Sequence, residues 1–321
     1  MDVRIGSFRH GFAPPDGRAP GQHQDEAQAG MKFADIGQQL RAYRMESGMR
    51  AEEIAARLGV SRAALYRYEK GEVIKLETIR RLAELLKVSP LSLLGIGIEY
   101  FARPGAFQER LRGLEEQADQ MLLVGEAYCL PITGEAFDGA LAEAWTQAIA
   151  AGADRLVQIA AVEQSLATLA ARKRAYAQKR PNLTAVLSES TLLRFLEEGV
   201  APGLQVPEAT RARCREAARH EAENLARLME NVPIGLQIGL ATGTPPSGSF
   251  LVLRGRDRAH VVTAPIAADT PPAAIAGVAG ITAAEEGVAV HQRVAEAMWR
   301  DAMKGTAAAE RVRELLARSR G

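Results

Sequence analysis

The segment AEEIAARLGVSRAALYRYEKG, from Ala51 to Gly71, leaves the backbone few choices. Ala55 stands one helical turn before Gly59, so a second helix can approach closely over the alanine while the glycine takes the left-handed backbone of a tight turn. Ile54, Leu58 and Val60 supply an apolar plug beneath that turn. Ser61 is suited to cap the next helix by accepting a backbone N–H bond. In that helix, expected from Arg62 to Lys70, Leu65 and Tyr68 lie three apart and face inward, which leaves Arg62, Ala63, Tyr66 and Arg67 on the outer face. Gly71 suits its C-terminal end. Two short helices crossing steeply, the second presenting paired arginines, are therefore expected here.

The flanks agree with this reading. Phe33, Ile36, Leu40 and Tyr43 make one face of a preceding helix. Leu76, Ile79, Leu82, Ala83 and Leu86 make one face of a following helix, and Pro90 opens a last turn with Leu91, Leu93 and Leu94. So complete an apolar set predicts that Phe33 to Tyr100 folds as a unit of its own. Five helices in this order resemble the Cro/repressor (XRE) helix-turn-helix domain, with its lambda-repressor-like fold. The stretches IGQQLRAYRMESGM, IAARLGVSRAALYRYEKGE and LETIRRLAELLKVSPLSLL carry the likeness.

The resemblance implies that Arg62 to Tyr68 enters the major groove of double-stranded DNA. It makes Arg62, Ala63 and Arg67 the expected base-edge readers, with arginine matched to guanine O6 and N7. Tyr66, Lys70 and Lys75 are placed for phosphate. Arg44 and Glu69 match a family ion pair tying the first helix to the end of the recognition helix. One departure is plain: where the family commonly has Thr or Ser followed by Gln, this chain has Arg50 and Ala51. Arg50 is then expected to replace the missing phosphate contact electrostatically.

A chain of 321 residues has room for about two domains. Its 47% hydrophobic and 25% charged residues are ordinary for a globular protein. Net charge is only +1, so contact with a polyanion must be local. Between Phe33 and Ile98 basic residues outnumber acidic ones by three. Cys129 and Cys214 are isolated, which argues against a zinc site or a disulfide framework and fits a reducing compartment. No apolar run reaches membrane-spanning length, and the first residues lack a signal-peptide core. A cytoplasmic protein without membrane or cofactor is expected.

Four regions are expected. Residues 1–30, rich in Gly, Pro and Gln, read as a disordered tail. Residues 31–100 form the DNA-binding domain. Residues 104–180 read as a helical linker or dimerisation region, with Leu141, Trp145, Ile149, Leu156, Ile159, Val162, Leu166 and Leu169 at helical spacing and a break near Ala151–Gly152. Residues 181–321 read as an α+β regulatory domain with a small antiparallel sheet covered on one face by helices. Its strands are expected at Leu183 to Leu187, in VPIGLQIGL, and in a hairpin of Phe250 to Arg254 with Ala259 to Ile266. LTAVLSESTLLR, VPIGLQIGL and GSFLVLRGRDRAHVV resemble a domain of undefined function (DUF5753) fused to XRE modules, which implies recognition of a partner or effector. The loop Thr242 to Ser249 is expected to rim a concave opening, and Arg254, Arg256 and Arg258 to receive an anionic effector or an acidic protein surface.

Catalysis is not expected. Ser247, Ser249 and Lys304 have the wrong spacing for a Ser–Lys self-cleaving site. His220, His260 and His291 are too scattered for a metal, and GTPPSGS lacks the lysine and helix of a phosphate cradle. The chain thus reads as a transcriptional regulator acting as a homodimer, since two half-sites double the contacts to DNA. The alternative is an antitoxin-like or phage-regulatory factor whose C-terminal domain binds a protein.

Overall fold

Apolar residues at helical spacing nucleate the first layer. In the computed structural model, which describes residues 36–94, 97–244 and 246–319, helix α1 covers 36–47 and buries Ile36, Leu40 and Tyr43. Phe33 and the tail expected over 1–30 lie outside the described residues. Helices α2 (Ala51–Leu58), α3 (Arg62–Glu69), α4 (Leu76–Leu86) and α5 (Pro90–Leu93) follow. Their core is Ile54, Ala55, Leu58, Leu65, Ile79, Leu82, Ala83, Leu86 and Leu93. Leu76, expected on the inner face of α4, is instead 75% exposed, at the first position of the helix.

Beyond this module the chain builds an eight-stranded mixed sheet among the described residues, in the order β1-β7-β6-β5-β2-β3-β4-β8. Strands β2 (Gln120–Val124), β3 (Asn182–Ser188) and β4 (Leu236–Ala241) run parallel. The crossovers between them are α7 (Glu135–Gln147) with α8 (Arg155–Lys179), then α9 (Glu189–Glu198) with α10 (Glu208–Glu230). Strands β5 (Phe250–Arg254), β6 (Ala259–Thr263), β7 (Ala279–Thr282) and β1 (Glu99–Phe101) extend the other side antiparallel. Strand β8 (Met303–Lys304) closes the far edge, between α11 (Glu285–Asp301) and α12 (Gly305–Arg318).

The expectation of a small antiparallel sheet covered on one face is therefore corrected. Val124, Val186, Phe250, Val252 and Val261 pack under α11, while Met121, Leu183, Leu251 and Leu253 turn to the opposite face. That face lies under α6 (Pro104–Gln117), α9, α10 and α12, with α7 and α8 outside them. Phe250 to Leu253 is buried at every position, as a strand covered on both faces must be. The stretch 104–180, read as helical, also contributes β2, the strand at which the parallel and antiparallel halves meet.

The two parts of the chain are joined by specific contacts. Phe101 stacks on Tyr43 with ring centroids 5.7 Å apart. The Glu46 carboxylate accepts the N–H groups of Ala102 and Arg103 at 2.8 and 2.9 Å, at the entry to α6. Gln39 Nε2 donates to Glu99 at 3.1 Å, and Glu99 is held in turn by the buried Arg110 guanidinium at 2.8 Å.

Candidate nucleic-acid interface

Between α2 and α3 the backbone does what the residue types require. Gly59 has φ +71°, and Val60 N–H returns to the Ala55 carbonyl at 3.0 Å. Ser61 Oγ accepts from Ala64 N–H at 3.1 Å and starts α3. Arg50 ends the preceding loop with no side-chain cap, since a guanidinium has no acceptor, and it stands exposed at the N-terminus of α2.

Helix α3 buries Ala64, Leu65 and Glu69. Arg62, Ala63, Tyr66, Arg67 and Lys70 are all exposed, and their spacing of three and four puts them on one face. Lys75 is also exposed, immediately before α4. Arg44 grips Glu69 through two bonds, Nε to Oε1 at 2.5 Å and Nη2 to Oε2 at 3.1 Å, and so fixes the far end of α3 against α1.

A contact without a sequence signal of its own sets the α1–α3 spacing. A Cβ at Gly37 would lie 2.6 Å from Gly71 N, 2.7 Å from Tyr68 O and 2.8 Å from Glu69 O. These are backbone atoms at the end of α3, so only glycine fits. In sequence, Gly37 is one glycine inside a helical pattern, with nothing to mark the crossing.

Both expected base-reading arginines are engaged by carboxylates. Arg62 pairs with Glu52 of α2 at 2.8 Å, donates to the Tyr66 hydroxyl at 3.2 Å and lies over the Tyr66 ring at 5.3 Å from its centroid. Arg67 pairs with Glu72 at 3.0 Å. These pairs are solvent-exposed and therefore weak.

The C-terminal residues singled out in sequence do not form one site. Arg254, Arg256 and Arg258 are exposed at the β5–β6 turn, where Arg254 bonds Gln292 and, with Arg258, lines a surface depression shared with Asp257 and Glu285. The Gly/Pro loop lies at the other end of the same strands: Pro246 and Ser249 pack on Gly125, just past Val124, whereas Arg254 pairs with Gln120. A five-residue strand separates the two ends by about 15 Å. His220 is exposed, burial pulls the His260 pKa down to about 4, and His291 bonds the Gly287 carbonyl at 2.8 Å. Among the described residues no group of three or more His, Cys, Asp or Glu side chains is placed to hold a metal ion. No helix among them is long and apolar enough to cross a membrane.

A family model described as a helix-turn-helix domain matches residues 35–93. No curated protein and no solved structure matches the chain. The match covers α1 to α5 and no more, so the N-terminal module is a helix-turn-helix domain, the class of module that supports a DNA-binding regulator.

Proposed function

We propose that this chain is a sequence-specific, DNA-binding transcriptional regulator of the XRE type that acts as a homodimer, with a C-terminal domain that senses an effector. The observation that carries the reading is the exposed face of α3, with Arg62, Ala63, Tyr66, Arg67 and Lys70 on a helix fixed by Arg44–Glu69 inside a matched helix-turn-helix domain. Arg62, Ala63 and Arg67 read base edges. Arg50, Tyr66, Lys70 and Lys75 hold phosphates, which sets register and adds the salt-dependent part of the affinity. Homodimerisation is supported by Leu156 and Val157, 79% and 69% exposed at the start of α8, in the region expected to join two copies.

The reading is non-catalytic. Glu126, Tyr128, Cys129 and Asp269 cluster past the end of β2, yet burial pushes the Cys129 thiol well above its ordinary range, which leaves it protonated and poorly nucleophilic. The test is selection of the preferred duplex from a random DNA library by the full chain. Arg62→Ala and Arg67→Ala then each lower affinity for the selected duplex about ten- to a hundredfold and relax one base position. Lys70→Ala weakens all duplexes alike and flattens the salt dependence. Unchanged affinity and selectivity in both arginine variants refutes the assignment.

A further inference from the structure

Beneath the point where the parallel and antiparallel halves of the sheet meet lies a cavity of about 70 Å³. Its walls are Leu111, Met121, Leu123, Leu130, Leu183 and Leu251, closed on one side by the loop Pro265 to Ala268. The space is several times what one water needs. It runs from Met121 and Leu183, near the starts of β2 and β3, to the segment Glu126 to Pro131 that follows β2.

Its polar lining is unbalanced. Arg172 is used up internally: Nε and Nη2 each bond the Glu115 carboxylate at 2.7 Å, and Nη1 bonds Gln108. Glu126, on the other side, accepts a hydrogen bond from the Ser249 hydroxyl and feels the repulsion of the Asp269 carboxylate. Burial among apolar groups pushes Glu126 up to about 7 and raises Asp269 too. Among the described residues no Lys, Arg or His forms an ion pair with either acid.

We propose that this cavity is an effector site for a small aliphatic amine, whose ammonium pairs with Glu126 while its alkyl chain fills the apolar wall, and that α6 relays its occupancy to the recognition helix. This rests on the DNA-binding reading above only for its second half. Helix α6 has the geometry of a relay. Leu111 and Glu115 face the cavity, and Gln108 Nε2 bonds the Ile266 carbonyl in its loop at 3.1 Å. The opposite face meets α1: Glu109 pairs with Arg41 at 3.1 Å, and Gly113 lies so close to Gln38 that a Cβ there would be 2.5 Å from Oε1. Helix α1 in turn touches the end of α3 through Gly37 and Arg44. A ligand that moves α6 by a fraction of an ångström moves a chain of close contacts ending at the DNA-reading helix.

The first arm of the test needs no DNA. Calorimetric titration of the full chain with n-butylamine gives saturable one-site binding, with n-butanol and butyrate at least tenfold weaker. Glu126→Gln weakens the amine about tenfold or more, as loss of a charge-assisted bond requires, and Ala267→Leu, which fills the cavity from its loop, abolishes binding. Absence of saturable binding, or equal binding of amine and alcohol with Glu126→Gln unaffected, overturns the site. The second arm adds the selected duplex: butylamine changes its affinity at least threefold in the wild-type chain and not in Glu126→Gln. Amine binding without that change overturns the relay. Amine binding by a chain that selects no duplex overturns the DNA-binding reading and leaves the site standing.

Discussion

Gly37→Ala isolates the contact that positions α3, the helix proposed to read DNA. Within α1, replacing glycine by alanine should by itself stabilise the helix by about 1 kcal/mol. Against this, the new Cβ would sit 2.6–2.8 Å from three backbone atoms of Tyr68, Glu69 and Gly71, where no side-chain rotation gives relief. Overpacking of this kind costs about 1–3 kcal/mol, and with rigid backbone on the far side the upper end applies. The expected net is a loss of about 2 kcal/mol confined to the helix-turn-helix module. Gly139→Ala is the matched control, because Gly139 is exposed in α7 with nothing within 4 Å of an added methyl, and it should gain up to about 1 kcal/mol. Hydrogen exchange of peptides from 36 to 86 reads the local opening free energy in Gly37→Ala, and thermal unfolding reads the control. Equal protection in wild type and Gly37→Ala would refute the reasoning, since it would mean that α1 and α3 slide apart without cost.

Glu52→Gln and Glu72→Gln release Arg62 and Arg67 from their pairs and remove charges that repel phosphate. Each should tighten binding to the selected duplex about two- to fivefold, as expected for loss of an exposed pair, and unchanged or weaker binding by titration would show that the acids orient the arginines instead. Glu126 makes stability fall with pH. The folded chain holds its proton up to about 7 against an ordinary 4.5, so the stability linked to it is fully present below 4.5 and is lost as pH rises to about 7. That loss is about 3 kcal/mol at most, and Asp269 acts in the same direction. Urea unfolding at pH 5 and pH 8 should show a smaller drop for Glu126→Gln than for wild type, and equal drops would remove Glu126 as the source.

The helix-turn-helix was legible because its constraints are local. Gly59, Ser61, Leu65 and the outward arginines each answer to a requirement within a few residues, and the structure places them accordingly. The hairpin of β5 and β6 was legible for the same reason: period and turn residues suffice. Strand β2 was not, because QMLLV between helical sequences is a short apolar run without period, and only its pairing with β3 and β5 makes it a strand. Strands β1, β7 and β8 are shorter still and exist through their partners. The cavity is legible least of all, since its Glu126 and Ile266 are 140 positions apart in sequence, and a lone Glu before Ala-Tyr-Cys carries no motif.

The junction between the two parts changes what a truncation can show. A chain cut after Tyr100 keeps the whole apolar set expected to fold alone, but it loses Phe101 from the Tyr43 ring and the Ala102 and Arg103 N–H groups from Glu46. The ring pair is worth about 0.5–1.5 kcal/mol beyond its burial. The two bonds to a carboxylate are worth about 1.5–3 kcal/mol each where water is excluded, and less at this partly exposed position. The fragment 31–100 is therefore expected to be less stable than the same residues in the full chain by about 2–4 kcal/mol, a large share of what a small domain has. Weak DNA binding by that fragment would then mix lost dimerisation with partial unfolding. Leu156→Asp together with Val157→Asp in the full chain separates the two, because both residues are exposed and their replacement leaves the module's supports intact. If these exposed residues join two copies, sedimentation shows a monomer and affinity for a two-half-site duplex falls, while hydrogen exchange in 36 to 86 stays as in wild type. An unchanged sedimentation profile would exclude the start of α8 as the dimer contact, and fragment protection equal to that of the full chain would show that the junction contributes nothing to the module.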